Sequence, residues 1–439
     1  MEKQMKTVAI VGGGASGLVA AIAAAERVRD LGIRAEVVIY EGDERVGRPI
    51  LATGNGRCNF SNSQLAVEKY RNAEFVRKAY DCLEDPECDE PAHQVMGFLE
   101  SCGLEWREES DGRRYPLANK ASVVVDVLRA AAARLDVHMQ CGKAVKAVEP
   151  PRGEGKRFTL RMEDGVFERA DVVVVSCGGR ALKSLDVEGL RRTVQRPVLG
   201  PLRVVDADIP FVRELDNIRV RCDVMLLRGK PGVQECLASE SGELMFRKYG
   251  VSGICVFDLS RIAEVGDVLR IDLLKADELD RAENYLLARR AELVTRFGER
   301  LTCADMLRGL VLPRVSEALL KRAGMKEEDV CDKARAKKLA ELLTRLNLEV
   351  AGIGDADICQ VQRGGFSVEQ FDPATLQATA VPGLFATGEA LDVDGPCGGY
   401  NLHWAWASGL LAGHAAAEHA NLHSKGETRH IATGEGDSR

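Results

Sequence analysis

The stretch from Lys6 to Glu41 constrains the fold more than any other part of the chain. It begins with the short apolar run Lys6–Val11, rich in β-branched residues and typical of a buried strand. The glycine-rich turn Gly12-Gly-Gly-Ala-Ser-Gly17 follows directly and leads into an alanine-rich helical stretch. A second β-branched run then ends at Glu41. Strand, glycine turn, helix, strand and acid in this order predict a Rossmann-type unit that binds a dinucleotide.

The glycines of this turn have separate physical roles. Gly12 allows the tight turn, Gly14 lets the backbone approach a pyrophosphate, and Gly17 lets the helix pack closely on the strand. The predicted helix, Leu18–Leu31, follows, and its amino terminus, with free backbone N–H groups and the positive end of the helix dipole, faces the phosphates. We therefore predict that Gly12, Gly14, Ala15, Ser16 and Gly17 bind the cofactor.

Glu41 stands at the end of the second strand, about where such units carry an acid. Its carboxylate is placed to accept hydrogen bonds from ribose hydroxyls, and we predict a cofactor-binding role for it. The alternative interpretation is a solvated acid at the end of a strand.

Composition excludes several classes of protein. A length of 439 residues predicts two or three domains, and a net charge of -7 argues against a chain-wide basic surface for nucleic acid or anionic membranes. The thirteen cysteines never form C-x-x-C pairs, which favours free thiols in a reducing compartment, and no zinc spacing is present. No apolar run is long enough to span a membrane. We expect a cytoplasmic chain with a small-molecule partner and no metal, nucleic-acid or membrane partner.

Periodicity and turn residues organise the first half of the chain. Residues 52–59 are too rich in glycine and asparagine for a helix or strand and predict a shaped loop. A hairpin is predicted to turn at Asp164–Gly165, and the β-branched run from Ala170 predicts a buried strand of the first sheet. Apolar periodicity predicts further helices at about 73–83, 92–102 and 122–135.

The pattern changes in the second half. Short strands without helices from about residue 196 to 262 predict an antiparallel sheet or small barrel, and residues 276–346 have a helical period. Strand and turn signals then return before a final helix over about 402–420. The predicted organisation is a nucleotide-binding domain in two parts (1–195 and 351–420), an inserted β-rich subdomain (196–265), an inserted helical subdomain (266–350) and a mobile polar tail (421–439).

Three downstream segments carry a resemblance to a known family. They are Gly47-Arg48 with the loop 53–59, Val175-Ser-Cys-Gly-Gly179, and the stretch from Gly388 to Gly409. On these segments the chain resembles the HI0933-like family of FAD-dependent flavoproteins, which includes proteins labelled aminoacetone oxidase family and 3-dehydro-bile acid reductases. The resemblance spans nearly the whole chain. It implies an α/β fold with a discontinuous, Rossmann-like FAD-binding domain of the glutathione-reductase type, interrupted by a β-barrel-like and helical region.

The resemblance also implies which residues hold FAD. Glu389 is expected on the ribityl hydroxyls, and Gly398-Gly399 opens the last helix, whose N–H groups can point at the flavin N1/C2 edge and stabilise negative charge there. The implied cofactor-binding residues beyond the first turn are Gly47, Arg48, Thr53, Gly54, Asn55, Gly56, Arg57, Cys58, Asn59, Cys177, Gly178, Gly388, Glu389, Gly398, Gly399, Tyr400, Asn401 and Leu402.

Catalytic residues are harder to identify because a flavin supplies the redox chemistry itself. Tyr400 and His403 lie on the first turn of the last helix, where either could donate a proton, although a packed, hydrogen-bonded histidine is the alternative for His403. Cys58 is a candidate redox thiol or charge-transfer partner but has no resolving cysteine nearby in sequence. Arg57 could hold a phosphate or an anionic substrate, with a structural salt bridge as the alternative.

The resemblance implies an FAD-dependent oxidoreductase that transfers hydride between flavin and an organic substrate. An enone reductase acting on a bile-acid or steroid-like substrate fits, with NAD(P)H as a transient donor because the chain has only one complete dinucleotide fingerprint. A flavin-dependent amine oxidase, an RNA-modifying flavoprotein and a non-catalytic FAD redox sensor stay open. Three positions depart from the family pattern and leave the substrate open: Pro49, Gln362 and Phe366. The oligomeric state is not predicted.

Overall fold

The computed structural model describes residues 5–84, 88, 90–153, 156–230, 232–276 and 278–431, with side chains up to residue 422. The chain forms two compact units. Unit 1 comprises residues 1–196 and 361–439, and unit 2 comprises residues 197–360. A discontinuous domain with one long insertion is therefore observed, as the fold class predicted.

The strands of the described residues are β1 (Lys6–Val11), β2 (Ala35–Glu41), β3 (Ser61–Asn62), β4 (Trp106–Glu108), β5 (Arg113–Pro116), β6 (His138–Cys141), β7 (Val145–Glu149), β8 (Phe158–Met162), β9 (Phe167–Ala170), β10 (Val172–Val175), β11 (Asp186–Val187), β12 (Arg196–Val198), β13 (Leu202–Val204), β14 (Arg219–Arg228), β15 (Glu235–Arg247), β16 (Gly250–Ser252), β17 (Val268–Asp272), β18 (Leu346–Ile353), β19 (Val361–Arg363) and β20 (Leu384–Ala386).

The α-helices of the same residues are α1 (Ala15–Leu31), α2 (Arg48–Leu51), α3 (Ala73–Asp81), α4 (Gln94–Ser101), α5 (Ala121–Arg134), α6 (Gly178–Leu182), α7 (Ile209–Glu214), α8 (Ile254–Ser260), α9 (Leu279–Phe297), α10 (Cys303–Leu307), α11 (Pro313–Arg322), α12 (Lys333–Thr344) and α13 (Tyr400–Ile431).

A parallel sheet forms the centre of unit 1. Its strand order is β20-β10-β1-β2-β6, and every neighbouring pair is parallel. The prediction that the valine run of β10 belongs to this sheet is confirmed, because β10 pairs with β1 and is fully buried. Since all five strands run the same way, the segments that follow them meet at one edge of the sheet, where open α/β sheets bind ligands.

Helix α13 packs on α1 through small residues. A Cβ atom at Gly409 would lie 2.5 Å from the carbonyl oxygen of Ser16, and one at Gly413 would lie 2.8 Å from the Cβ of Ala23. Larger residues at these two positions would push the helices apart. The close approach ties the amino-terminal and carboxyl-terminal parts of unit 1 together.

The smaller sheet of unit 1 has the order β11-β7-β8-β9. The predicted hairpin is confirmed: β8 and β9 are antiparallel and turn at Asp164–Gly165. Gly165 has a φ of +83°, and the side chain of Asp164 accepts a hydrogen bond from the N–H of Val166. Both features are typical of a tight turn.

Unit 2 is a closed antiparallel barrel with helices. The barrel order is β13-β16-β15-β14-β17-β18, and it closes because β13 pairs with both β16 and β18. Strands β17 and β18 lie before and after the helical stretch in sequence. Buried residues of the barrel and of these helices belong to one hydrophobic core. The predicted β-barrel-like and helical insertion is confirmed.

Several helices differ from the sequence-based expectation. Helices α7 and α8 lie within residues 196–262, where the sequence predicts strands without helices. The short helix α2 is not predicted from the sequence and ends directly before the predicted loop at 52–59, with Pro49 in its first turn, where proline's fixed φ fits a helix start. Helix α13 continues to Ile431, past the predicted end near residue 420. The last part of the predicted mobile tail, residues 432–439, lies outside the described residues. Across the described ranges, no helix is both long and apolar enough to cross a membrane.

Candidate cofactor-binding site

The glycine turn after β1 has the geometry that its residues predict. Gly12 has a φ of +100°, and a Cβ there would lie 2.5 Å from the Cα of Cys177. A Cβ at Gly17 would overlap the carbonyl oxygen of Gly12. Gly14 differs, because its φ is -74° and a Cβ there would meet no described atom within 4 Å. Gly12 and Gly17 are therefore needed for the turn and its packing, whereas Gly14 borders open space.

The start of α1 offers unpaired backbone donors to that space. The first bond of the helix runs from the N–H of Leu18 to the carbonyl of Gly14, 3.0 Å away, so helix geometry leaves the preceding N–H groups of Ala15, Ser16 and Gly17 without an intrahelical acceptor. The first turn, which is fully described, contains no acid that could cap these groups. Such a helix start favours an anion.

Glu41 lies at the end of β2 beside this turn. One carboxylate oxygen accepts a hydrogen bond from the N–H of Gly13 at 2.7 Å, and the other accepts from Asp43 at 2.8 Å. Each oxygen keeps a second lone pair, so the fixed carboxylate can still accept hydrogen bonds from hydroxyl groups. Its predicted role on a ribose stays a prediction with compatible geometry.

A cluster of three buried hydroxyl groups joins the segments that follow β1, β10 and β20. The hydroxyl oxygen of Thr387 lies 2.9 Å from that of Ser16 and 2.8 Å from that of Ser176. Sequence reasoning missed Ser176 and Thr387. Their position directly after a buried parallel strand is the signal that could have identified them.

Glu389 is sheltered close to the start of α6. Its carboxylate accepts a hydrogen bond from the N–H of Gln362 at 3.3 Å, and a Cβ at Gly179 would lie 3.0 Å from the same oxygen. Burial raises the pKa of Glu389 to about 7, although the N–H groups of Gln362 and Gly179 oppose the shift. A sheltered carboxyl group of this kind is suited to accept hydrogen bonds from ligand hydroxyls.

The glycine pair before α13 is held against β3. Gly399 has a φ of +100°, and a Cβ there would lie 2.5 Å from the carbonyl oxygen of Ser61. The side-chain amide of Asn62 donates to the carbonyl of Gly398 at 3.0 Å. The first helical bond runs from His403 N–H to the Gly399 carbonyl, which leaves the three preceding N–H groups available to a ligand.

Two buried acids fix the segment between Glu389 and Gly398. Asp392 receives two hydrogen bonds from the guanidinium of Arg71, at 2.7 and 3.0 Å. Asp394 receives two from Arg363, both at 2.9 Å. Bidentate pairs of this kind set both distance and orientation. Sequence reasoning missed all four residues, because the partners are far apart in the chain.

Tyr400 and His403, the candidate proton donors, point into the protein interior. The Tyr400 hydroxyl accepts a hydrogen bond from the N–H of Ala66 at 3.1 Å. The His403 ring is 2% exposed, its Nδ1 lies 2.9 Å from the Ser61 hydroxyl, and burial lowers its pKa to about 4. These contacts favour the packed-histidine alternative for His403. The catalytic roles of both residues stay predictions.

The loop at 53–59 is shaped by left-handed backbone, as expected from its composition. Gly54, Asn55, Gly56 and Cys58 all have φ between +55° and +80°. Cys58 is 0% exposed, and burial raises the pKa of its thiol to about 11. A neutral, enclosed thiol is a poor nucleophile and a poor charge-transfer donor.

This burial leads to a spectroscopic prediction for Cys58. We expect the oxidised flavoprotein to show no long-wavelength charge-transfer band up to about pH 9, because the thiol stays protonated. The absorbance spectra of wild type, Cys58→Ser and the exposed-cysteine control Cys141→Ser should coincide above the main flavin band. A band that is lost only in Cys58→Ser would contradict the expectation and support a redox role.

Arg57 and Arg48 are engaged by neighbouring residues. Arg57 forms an ion pair with Glu109, and its guanidinium lies 4.1 Å from the ring centroid of Tyr115. Arg48 pairs with Asp43 at 2.9 Å on the surface. The contacts of Arg57 favour the structural salt bridge over a free anion-binding group.

The predicted residues fit a dinucleotide with a diphosphate and several hydroxyl groups. Gly14 and Gly178 border space in which a Cβ would meet no described atom within 4 Å, and at Gly398 the nearest described atoms would lie 3.8 Å away. Donor groups at the starts of α1 and α13 and acceptors at Glu41 and Glu389 match phosphate, ribose, ribityl and flavin groups by chemical type. Gly47 supports the first turn, since its N–H donates to the Gly13 carbonyl at 2.7 Å. The remaining predicted cofactor residues, Thr53, Asn59, Gly388, Asn401 and Leu402, belong to the same unit.

Comparison with known proteins places this chain among related sequences. Residues 6–415 match the model of the HI0933-like protein Rossmann domain. The chain is 33% identical to the 3-dehydro-bile acid delta(4,6)-reductase of Clostridium scindens, over 94% of this chain and 100% of that protein. It is 23% identical to the ribosomal RNA dihydrouridine synthase of Haemophilus influenzae, over 91% and 95% of the two chains. A solved 3-ketosteroid-delta4-(5alpha)-dehydrogenase from Rhodococcus jostii RHA1 is 15% identical with a TM-score of 0.44, over 95% and 98%.

Proposed function

This chain belongs to the HI0933-like family and is an FAD-dependent oxidoreductase, and we propose that it reduces a carbon–carbon double bond conjugated to a carbonyl group. The proposed substrate is bile-acid or steroid-like. The observation that carries the proposal is the 33% identity to a 3-dehydro-bile acid reductase, which extends over the full length of that relative.

The names of two relatives support the proposed reaction type. A 3-dehydro compound with double bonds at positions 4 and 6 has those bonds conjugated to its carbonyl group, and the first relative is named as their reductase. The second is named for dihydrouridine, in which the ring double bond next to a carbonyl has been saturated. Hydride addition to a conjugated double bond is common to both reactions. We therefore propose this chemistry ahead of amine oxidation.

FAD supplies the hydride-transfer chemistry when it is bound. The residues of this chain would bind and orient it: the start of α1 would hold the diphosphate, Glu41 the ribose and Glu389 the ribityl hydroxyls. The N–H groups of residues 400–402 would face the flavin edge at which negative charge gathers, and would so favour the reduced form. These roles are proposals supported by the donor and acceptor geometry of each group.

We further propose that NAD(P)H docks transiently as the electron donor. The sequence contains only one complete strand–glycine–helix–acid fingerprint, so a second permanent nicotinamide site of that type is not encoded. A nicotinamide that binds briefly, transfers its hydride and leaves is compatible with one fingerprint.

A second candidate is reduction of a uridine in RNA. The 23% identity to a ribosomal RNA dihydrouridine synthase over 91% of this chain favours it. The net charge of -7 weighs against it, since RNA binding depends strongly on cationic side chains.

Anaerobic reoxidation of the photoreduced protein tests these proposals. We expect a 3-oxo steroid with conjugated double bonds to reoxidise the flavin more than about 10-fold faster than its saturated 3-oxo analogue, because only the former has a conjugated carbon–carbon double bond to which hydride can add. Uridine-containing RNA serves as a parallel arm, and amines are added to the oxidised protein. If RNA reoxidises the flavin and the steroid does not, the result supports the second candidate, reduction of a uridine in RNA. Reduction by an amine would contradict the proposed reaction type.

A further inference from the structure

Three side chains that commonly bind metals meet in the connection between α3 and α4. They are Cys88, Glu90 and His93, and their ligand atoms all lie within 4.8 Å of one another. The Nδ1 atom of His93 lies 3.6 Å from a carboxylate oxygen of Glu90. This separation is longer than a good hydrogen bond but is close to the spacing between two ligands on one small cation.

The His93 ring nitrogen is a second, independent observation. Its Nδ1 atom is buried and makes no hydrogen bond within the described part of the chain, and its polar contact there is the 3.6 Å approach to Glu90. Buried polar atoms are nearly always paired, so this nitrogen is suited to bind a cation that Glu90 binds as well. A neutral imidazole nitrogen is the commonest protein ligand for transition metals.

The charges around the cluster favour a cation. Arg114 is 5% exposed and donates to both oxygens of Glu90, at 2.7 and 2.6 Å, and to Glu108 at 3.3 Å. One guanidinium and two carboxylates leave one negative charge, and a cysteine binds a metal as its thiolate, which would add another. A divalent cation would balance this charge. Each Glu90 oxygen keeps a second lone pair, so Glu90 can serve Arg114 and a metal together.

We propose that Cys88, Glu90 and His93 form a zinc site that is completed by water. One sulfur, one nitrogen and one oxygen ligand suit Zn²⁺, which accepts all three, better than Mg²⁺ or Ca²⁺, which prefer oxygen alone. No metal is expected from the sequence, because the Cys-x-Glu-x-x-His spacing contains no pair of cysteines. The structure brings the ligand atoms of these three side chains together.

The site's role is structural. Zinc would anchor Cys88, Glu90 and His93 to Arg114 on β5, which pairs with β3 at Ser61. The carbonyl of Ser61 is the atom against which Gly399 packs. The metal would therefore stabilise β5 and β3, against which the backbone before α13 packs. The proposal does not depend on the identity of the substrate.

Metal content of the full-length protein tests the proposal. We expect the wild type, expressed with added zinc and freed of loosely bound metal, to contain about one zinc per chain by plasma mass spectrometry. Cys88→Ser and His93→Ala should lose it. Cys82→Ser is the matched control, because Cys82 is exposed and lies outside the cluster, and it should retain the metal. Wild-type protein with no more zinc than Cys88→Ser would overturn the proposal.

Cobalt provides a readout that identifies the thiolate ligand. Co²⁺ added to zinc-free protein should produce a near-ultraviolet thiolate-to-metal band in the wild type and in Cys82→Ser, measured as a difference spectrum against metal-free protein. Cys88→Ser should lack the band. If the substituted proteins fail to fold, the cobalt spectrum of the wild type alone tests the proposal. A wild-type spectrum without the band contradicts thiolate ligation.

Discussion

Gly14→Val is expected to fold normally and to be purified without FAD. The backbone of Gly14 has a φ of -74° and a ψ of -160°, which residues with a side chain adopt without strain, and a Cβ there meets no described atom within 4 Å. The valine would instead fill the space through which the backbone reaches the diphosphate. Losing two charge-assisted hydrogen bonds at about 1.5 to 3 kcal/mol each weakens binding on the order of 100- to 10,000-fold.

Gly97→Val is the matched control for this prediction. Gly97 lies within α4, has no positive φ, and likewise has no described atom within 4 Å of an added Cβ. We expect this control to keep a full complement of FAD. Flavin absorbance after gel filtration gives the content, and circular dichroism checks the fold. A folded Gly14→Val protein that retains stoichiometric FAD would refute the proposed diphosphate site.

Glu389→Gln is expected to weaken FAD binding and, at the same time, to stabilise the FAD-free protein. The carboxylate is proposed to accept hydrogen bonds from ribityl hydroxyls, and hydrogen bonds to a charged group contribute about 1.5 to 3 kcal/mol. Replacing it with a neutral amide should therefore weaken FAD binding by about 10-fold or more, measured by titration of the FAD-free protein.

The gain in stability has a defined dependence on pH. Burial raises the pKa of Glu389 in the folded protein from 4.5 to about 7. The folded state therefore holds this proton more tightly than the unfolded state. In the wild type, the stabilisation that this proton provides is complete below the pKa that Glu389 has in the unfolded state. It is lost as the pH rises through the pKa that Glu389 has in the folded state. The FAD-free variant should consequently exceed wild type in melting temperature at about pH 8, and the difference should vanish in mild acid.

Glu369→Gln is the control for this pair of effects. The side chain of Glu369 is 78% exposed and contacts only Arg191 among the described ion pairs, at 3.8 Å. Exposed pairs of this kind contribute little, so both the FAD affinity and the melting temperature should stay close to wild type. A Glu389→Gln protein that binds FAD as tightly as wild type would remove Glu389 from the site.

The sequence predicts the nucleotide-binding end of the site because that end is local in the chain. Gly12, Gly14, Gly17 and Glu41 lie within one strand–helix–strand unit, whose geometry follows from short-range sterics and hydrogen bonding. The sequence also predicts the buried strand β10, since a continuous β-branched segment fits the interior of a parallel sheet.

The rest of the site depends on contacts between distant residues. Pairing of Asp392 with Arg71 joins positions 321 residues apart, and no local pattern reveals it. The sequence predicts that Tyr400 lies on the first turn of the last helix, but the direction of its side chain is set by Ala66, which lies on another segment. Closure of the barrel by β18 likewise requires a strand far from its partner β13. Burial and pairing at long range, more than propensity, decide these features.

A crystal structure of the protein with FAD bound tests the central claim most directly. We predict that the diphosphate lies within hydrogen-bonding distance of the N–H groups of Ala15 and Ser16, and that the flavin ring lies beside the backbone of residues 398–402. A single FAD whose flavin ring is bound elsewhere, with the start of α13 turned away from it, would contradict the account.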